Sequence, residues 1–122
     1  MYEVSVREHF DAAHYLRGYQ GKCENLHGHR FQVMVTVRAQ DVDEIGLTYD
    51  FVALKGHLRE ILERFDHVCL NDVPPFDRIN PSSENIATEI CEELQKRGLP
   101  IFSVQVCESP DSCVTYIPDK PG

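Results

Sequence analysis

The residues in this chain best suited to chemistry are three histidines, His14, His27 and His29. His27-Gly28-His29 is the sharpest local feature. In an extended strand, residues two apart point to the same face, their Cα atoms about 7 Å apart. Two imidazoles so placed suit chelation of one ion, and the glycine between them leaves room on the opposite face. His14 lies near the end of the preceding apolar-alternating segment and adds a third imidazole. Three neutral nitrogens with one open position describe a catalytic zinc centre, since a structural site is usually closed by four ligands. The competing reading is that each histidine is a satisfied core or surface residue. Shared burial parity favours the cluster, because unpaired polar groups on an apolar face are costly.

Three further features could serve such a centre. Cys23 precedes His27 by four positions. It is a fourth ligand, an inert thiol, or a base or nucleophile whose thiolate is favoured by nearby positive charge. Asp66-His67 sets a carboxylate beside an imidazole, which suits a proton shuttle. It also suits a plain helix C-terminus, where the dipole favours histidine. Glu108 continues the apolar parity of a late strand, so its carboxylate is either at a wet end or paired with something specific. His9 and His57 get no role, and Cys69, Cys91, Cys107 and Cys113 read as packing residues.

Positioning these groups falls to a small set of elements. Tyr2, Val4, Val6, Phe10 and Ala12 alternate with polar residues, giving a strand with one buried face. Residues 15–26, with Gly18, Gly21 and Asn25, read as a loop. His27, His29, Phe31, Val33, Val35 and Val37 then alternate as a second strand, antiparallel to the first. Asp50 caps a helix whose stripe is Phe51, Leu54, Leu58, Ile61, Leu62 and Phe65. Pro74-Pro75 breaks the chain. Pro81-Ser82-Ser83-Glu84 opens a second helix, striped by Ile86, Ala87, Ile90 and Leu94 and ended by Gly98. Phe102, Val104 and Val106 make a third strand and residues 114–117 a fourth. The order β-β-α-α-β-β is an α+β pattern, with two helices on one face of an antiparallel sheet.

Composition narrows the partners. A chain of 122 residues fits one domain, spanning 1–122, and is short for a cleft enclosed on all sides. A formal net charge of −8 argues against nucleic acid or an anionic membrane as the main partner. A phosphorylated small molecule stays admissible, since local basic residues override the global sign. The apolar runs are far shorter than a membrane span. With no basic-then-apolar leader, the five cysteines read as free thiols and the expected location is the cytoplasm.

Assembled in order, the motifs resemble the 6-pyruvoyltetrahydropterin synthase and 6-carboxytetrahydropterin synthase family over nearly the whole chain. The matching stretches are Phe10-Asp11-Ala12-Ala13-His14, Cys23 to His29, Leu47-Thr48-Tyr49-Asp50-Phe51, Asp66-His67, Leu70-Asn71-Asp72, Asn80 to Asn85 and Val106-Cys107-Glu108. The resemblance implies the tunnelling fold (T-fold), in which such subunits join into a barrel, typically a homohexamer of two stacked trimers. It implies zinc on His14, His27 and His29. Cys23, Asp66 and His67 match the family's proton-transfer residues, and Glu108 the carboxylate that anchors the pterin ring. Ser82, Ser83 and Glu84 match the segment lining the pterin pocket, with serine where threonine is common.

The implied substrate is 7,8-dihydroneopterin triphosphate. The spacing of Cys23 to His27 resembles the bacterial branch, which forms 6-carboxy-5,6,7,8-tetrahydropterin for queuosine and releases acetaldehyde and triphosphate. The alternatives are the pyruvoyl-forming sister branch, and an aldolase-type cleavage of dihydroneopterin side chains, for which Glu24 leaves room. Arg17, Lys22 and Arg30 are candidates for the triphosphate, with a solvated surface role equally open to each. Two readings compete from other classes. A structural zinc protein would use Cys23 as fourth ligand, and a pterin- or zinc-binding module would do no chemistry. Neither uses the full set of Cys23, Asp66, His67 and Glu108.

Overall fold

The structure is a computed structural model, and it describes residues 1–21 and 25–119. Five strands and two helices follow in the order β1 (Tyr2–His14), β2 (His27–Ala39), α1 (Phe51–Leu62), β3 (Val68–Cys69), α2 (Ser83–Lys96), β4 (Ile101–Ser109) and β5 (Ser112–Tyr116). The strands form one sheet in the order β3-β1-β2-β4-β5. The α+β architecture is the one expected. One element departs from the reading: β3, two residues long, pairs parallel with β1 through Ala12–Val68 and Ala13–Cys69, so the sheet is mixed. Two residues are too few to show a period of two, which is why alternation in the sequence does not reveal it.

The helix boundaries follow local chemistry. The Asp50 carboxylate accepts from the Val52 amide at 2.8 Å, and the Ser82 hydroxyl from the Asn85 amide at 3.1 Å. Each satisfies an amide that the first helical turn leaves without a partner. Gly98 follows α2 at φ +84°, a left-handed position that suits a residue without Cβ. The stripe of α1 is narrower than expected. Leu54, Leu58, Ile61 and Leu62 are buried, while Phe51 at the first position is exposed. Phe65 is buried from a 3-10 turn beyond the helix rather than from the helix itself.

The alternating faces of β1, β2 and β4 meet these helices in one core. Val6, Phe10, Phe31, Val33, Val35, Val37, Val104 and Val106 pack with the α1 and α2 stripes. Phe10 and Phe31 lie directly opposite one another and stack, their ring centroids 5.0 Å apart. Cys107 and Cys113, read from sequence as packing thiols, are instead joined in a disulfide. The β4–β5 register sets them face to face with Cα atoms 4.0 Å apart. Of the other described cysteines, Cys69 and Cys91 are free, and burial pushes the Cys91 thiol up to about 11.

Candidate metal and proton-transfer site

Pairing register brings the three histidines together. His14 lies opposite His27 at the end of the β1–β2 ladder, and His29 lies opposite Ala12. Ring centroids are 4.5 Å apart for His14–His27, 4.7 Å for His27–His29 and 5.4 Å for His14–His29. The Glu108 carboxylate joins from β4, with Oε1 3.4 Å from His14 Nε2. One ligand atom from each of His14, His27, His29 and Glu108 lies within 4.8 Å of all the others, a set able to hold a metal ion.

The surroundings fix these rings. His14 is fully buried, and its Nδ1 donates to the Pro81 carbonyl at 2.9 Å. That bond leaves Nε2 facing the cluster, where it is buried without a hydrogen-bond partner. An orphaned buried nitrogen is costly unless a further group completes it, so the residues present fit a metal ion. Burial holds the His14 imidazole below its ordinary value, which favours the neutral, metal-binding form. His27 Nδ1 is held by the Asn25 carbonyl. Phe31 presents its edge toward both His14 and His29.

A second group assembles around Asp11, on the strand face opposite the three imidazoles. The Asp66 carboxylate accepts from the Asp11 amide at 2.9 Å and lies 2.9 Å from His67 Nδ1. The His67 amide donates back to the Asp11 carbonyl at 2.6 Å. One β1 residue therefore holds both members of the dyad through its backbone. His67 sits at φ +58°, a region that non-glycine residues seldom occupy and that concentrates at functional sites. The Asp11 amide, ahead of the His67 imidazole, holds the Asp66 carboxyl below the usual carboxylate range. A group lowered in the folded state adds stability above its ordinary value and loses it as pH falls through its folded value. In urea denaturation the advantage of wild type over Asp66→Asn is expected to be present at neutral pH and to vanish in acid. An advantage that grows on acidification would contradict this assignment.

An open cleft of about 540 Å³ lies over the Asp11 group, lined among others by Asp11, Arg30, His67 and Cys69, and of the three imidazoles only His29 reaches its lining. Cys69, read from sequence as packing, faces this cleft. Ser82 and Ser83 are half-buried at the start of α2 and Glu84 is exposed there. This places them next to Pro81, whose carbonyl holds His14. The Ser82 hydroxyl is engaged as the helix cap. Cys23, Glu24 and Lys22 lie outside the described residues.

Two of the triphosphate candidates make contacts within the chain. Arg17 donates to the carbonyls of Asn71, Phe76 and Ile79, clasping the 71–79 segment. Arg30 grips the Asp11 carboxylate with two donors, at 2.9 and 3.2 Å. Sequence reasoning missed Asp11. Its signal was available: once His14 is set opposite His27, Asp11 falls opposite Arg30. The Pro81 carbonyl carried no signal, since it lies 67 residues from His14.

A mixed sheet with helices over its apolar face, three imidazoles at one end and an acid–imidazole dyad across the strand, defines a candidate metal-assisted acid–base enzyme. Residues 3–119 match the 6-pyruvoyl tetrahydropterin synthase family. The 6-carboxy-5,6,7,8-tetrahydropterin synthase of Synechocystis sp. is 38% identical over 113 residues, covering 88% of this chain and 86% of that one. The human 6-pyruvoyl tetrahydrobiopterin synthase is 36% identical over 103 residues, covering 79% and 70%. The solved structure of Caenorhabditis elegans 6-pyruvoyl tetrahydropterin synthase superposes with a TM-score of 0.86 at 29% identity, over 97% of this chain and 96% of that one. The chain belongs to the 6-pyruvoyl tetrahydropterin synthase family and is a T-fold lyase of the tetrahydropterin synthase type.

Proposed function

We propose that this protein is a zinc-dependent 6-carboxy-5,6,7,8-tetrahydropterin synthase. It converts 7,8-dihydroneopterin triphosphate to the carboxy product with release of acetaldehyde and triphosphate, in the cytoplasmic route to queuosine. The observation that carries the reading is the convergence of the His14, His27 and His29 imidazoles around the buried, unpartnered Nε2 of His14, with the Asp66–His67 dyad assembled on the opposite face of the same strand. The Synechocystis and Bacillus subtilis relatives bear the carboxy-forming name. In this reading residues 1–122 are one family domain, and subunits assemble into a hexamer that completes the cleft.

His14, His27 and His29 hold the metal. A bound zinc supplies Lewis-acid stabilisation of negative charge developing on the substrate side chain. Cys23, as thiolate, removes a side-chain proton. Asp66 orients His67 through Nδ1, which leaves the far nitrogen of that ring to carry a proton to or from the substrate. Glu108 accepts from the ring N–H and amino group of the pterin and fixes the reacting carbons against these groups. Ser82, Ser83 and Glu84 line the ring pocket.

The test is incubation of zinc-loaded protein with 7,8-dihydroneopterin triphosphate and mass spectrometry of the products. Carboxytetrahydropterin and acetaldehyde are expected. Cys23→Ala and His67→Ala should each lower the rate about 10²–10⁴-fold, the usual contribution of a positioned acid or base. The human and Caenorhabditis relatives favour a second reading, the pyruvoyl-forming reaction on the same substrate. A pyruvoyl product would select it, and bound pterin with no turnover would leave only a binding module.

A further inference from the structure

We propose that Glu108 is the fourth ligand of the metal while no substrate is bound, and that it hands its carboxylate to the pterin ring when the substrate arrives. The inference deepens the proposed function, since it rests on His14, His27 and His29 as metal ligands and on Glu108 as ring anchor.

The geometry at His14 carries it. Nδ1 donates to the Pro81 carbonyl, so Nε2 presents its lone pair to the cluster. The nearest acceptor is a Glu108 carboxylate oxygen, 3.4 Å away. A charge-assisted N–H···O bond would be about 2.7–2.9 Å long. Nε2 is indeed left without a hydrogen-bond partner. A metal ion bound by both atoms would complete the unpartnered nitrogen and bring the carboxylate into the same shell. Bonds of about 2.0–2.1 Å around a tetrahedral zinc put neighbouring ligand atoms about 3.3–3.4 Å apart. The observed separation matches that edge.

The fold also lets the carboxylate leave. Glu108 is one residue from the end of β4, beside a register shift between Cys107 and Ser109. Its side chain is 29% exposed, against 1% for His14. His14 and His27 are each tied to a backbone carbonyl through Nδ1, which leaves the part-exposed carboxylate the freer ligand. A cyclic N–H and amino pair, such as the pterin ring offers, matches both carboxylate oxygens at once, which a single metal bond does not. Release would reopen the fourth position only when substrate is present.

Cobalt(II) replacing zinc reports its own coordination in the visible spectrum. Pterin itself is the second probe, because it has the ring and no side chain to reach the metal. Wild-type protein is expected to show a four-coordinate cobalt band that shifts in Glu108→Ala and Glu108→Gln, with cobalt affinity falling about tenfold or more. Pterin binding, followed by its fluorescence, should move the wild-type band toward that of Glu108→Ala. An unchanged band and affinity in both variants would overturn the ligand role while leaving the three-histidine centre intact. Pterin that binds without moving the band, or that fails to bind, would overturn the hand-over. Cobalt retained by a His27→Ala/His29→Ala variant would sink the metal reading itself, and this inference with it.

Discussion

Replacing His29 by alanine is expected to strip the metal and lower turnover by about 10³-fold or more. The ring contributes one of three imidazoles whose centroids lie 4.5–5.4 Å apart. Two remaining imidazoles and a movable carboxylate hold an ion far less firmly than the complete set. Charge stabilisation by a catalytic metal is worth several kcal/mol, and about 4 kcal/mol corresponds to a factor of about 10³ in rate. Metal content by elemental analysis and rate with the triphosphate substrate should fall together. His29 is preferable to His14 for this test because its ring is not fully buried, so the variant folds. Full activity with the metal gone would remove zinc from the mechanism.

Phe31→Ala should have the largest effect on stability. The Phe31 side chain is fully buried, stacks on Phe10 at 5.0 Å and meets His14 and His29 edge-on at 5.0 and 5.8 Å. Removing a buried phenylalanine costs about 3–5 kcal/mol through lost transfer energy and the cavity left behind. That is a large part of the 5–15 kcal/mol holding a typical domain together. Urea denaturation of the metal-free variant should show the loss as a lower midpoint with little change in slope. Metal affinity should fall too, since the same ring walls in two of the imidazoles. An unfolding free energy within about 1 kcal/mol of wild type would mean that the core closes over the gap and that Phe31 does not support the site.

Much of this site was legible before any coordinates. His27 and His29 share a strand face by the period of two, and Asp50 and Ser82 announce helix starts through their capping oxygens. The stripes of α1 and α2 follow from the helical period, apart from Phe51, which the first turn leaves at the surface, and Phe65, which lies in the 3-10 turn beyond α1. Such features depend on neighbours within a few residues, where propensity and periodicity act directly.

Contacts between distant parts of the chain had no such marker. The two-residue β3, the Cys107–Cys113 disulfide and the Arg17 clasp on the 71–79 carbonyls each depend on which segments meet. A guanidinium looks the same in sequence whether it awaits phosphate or closes a loop. The sequence by itself determined the ligand types, the strand faces that carry them and the two capped helices, because side-chain chemistry and backbone period are local properties. Only the tertiary structure decided that His14 reaches His27 and Glu108, that Pro81 sets the His14 tautomer, and that the Asp11 backbone holds Asp66 and His67. Those relations arise from strand register and long-range packing, which the hydrophobic core settles for the chain as a whole.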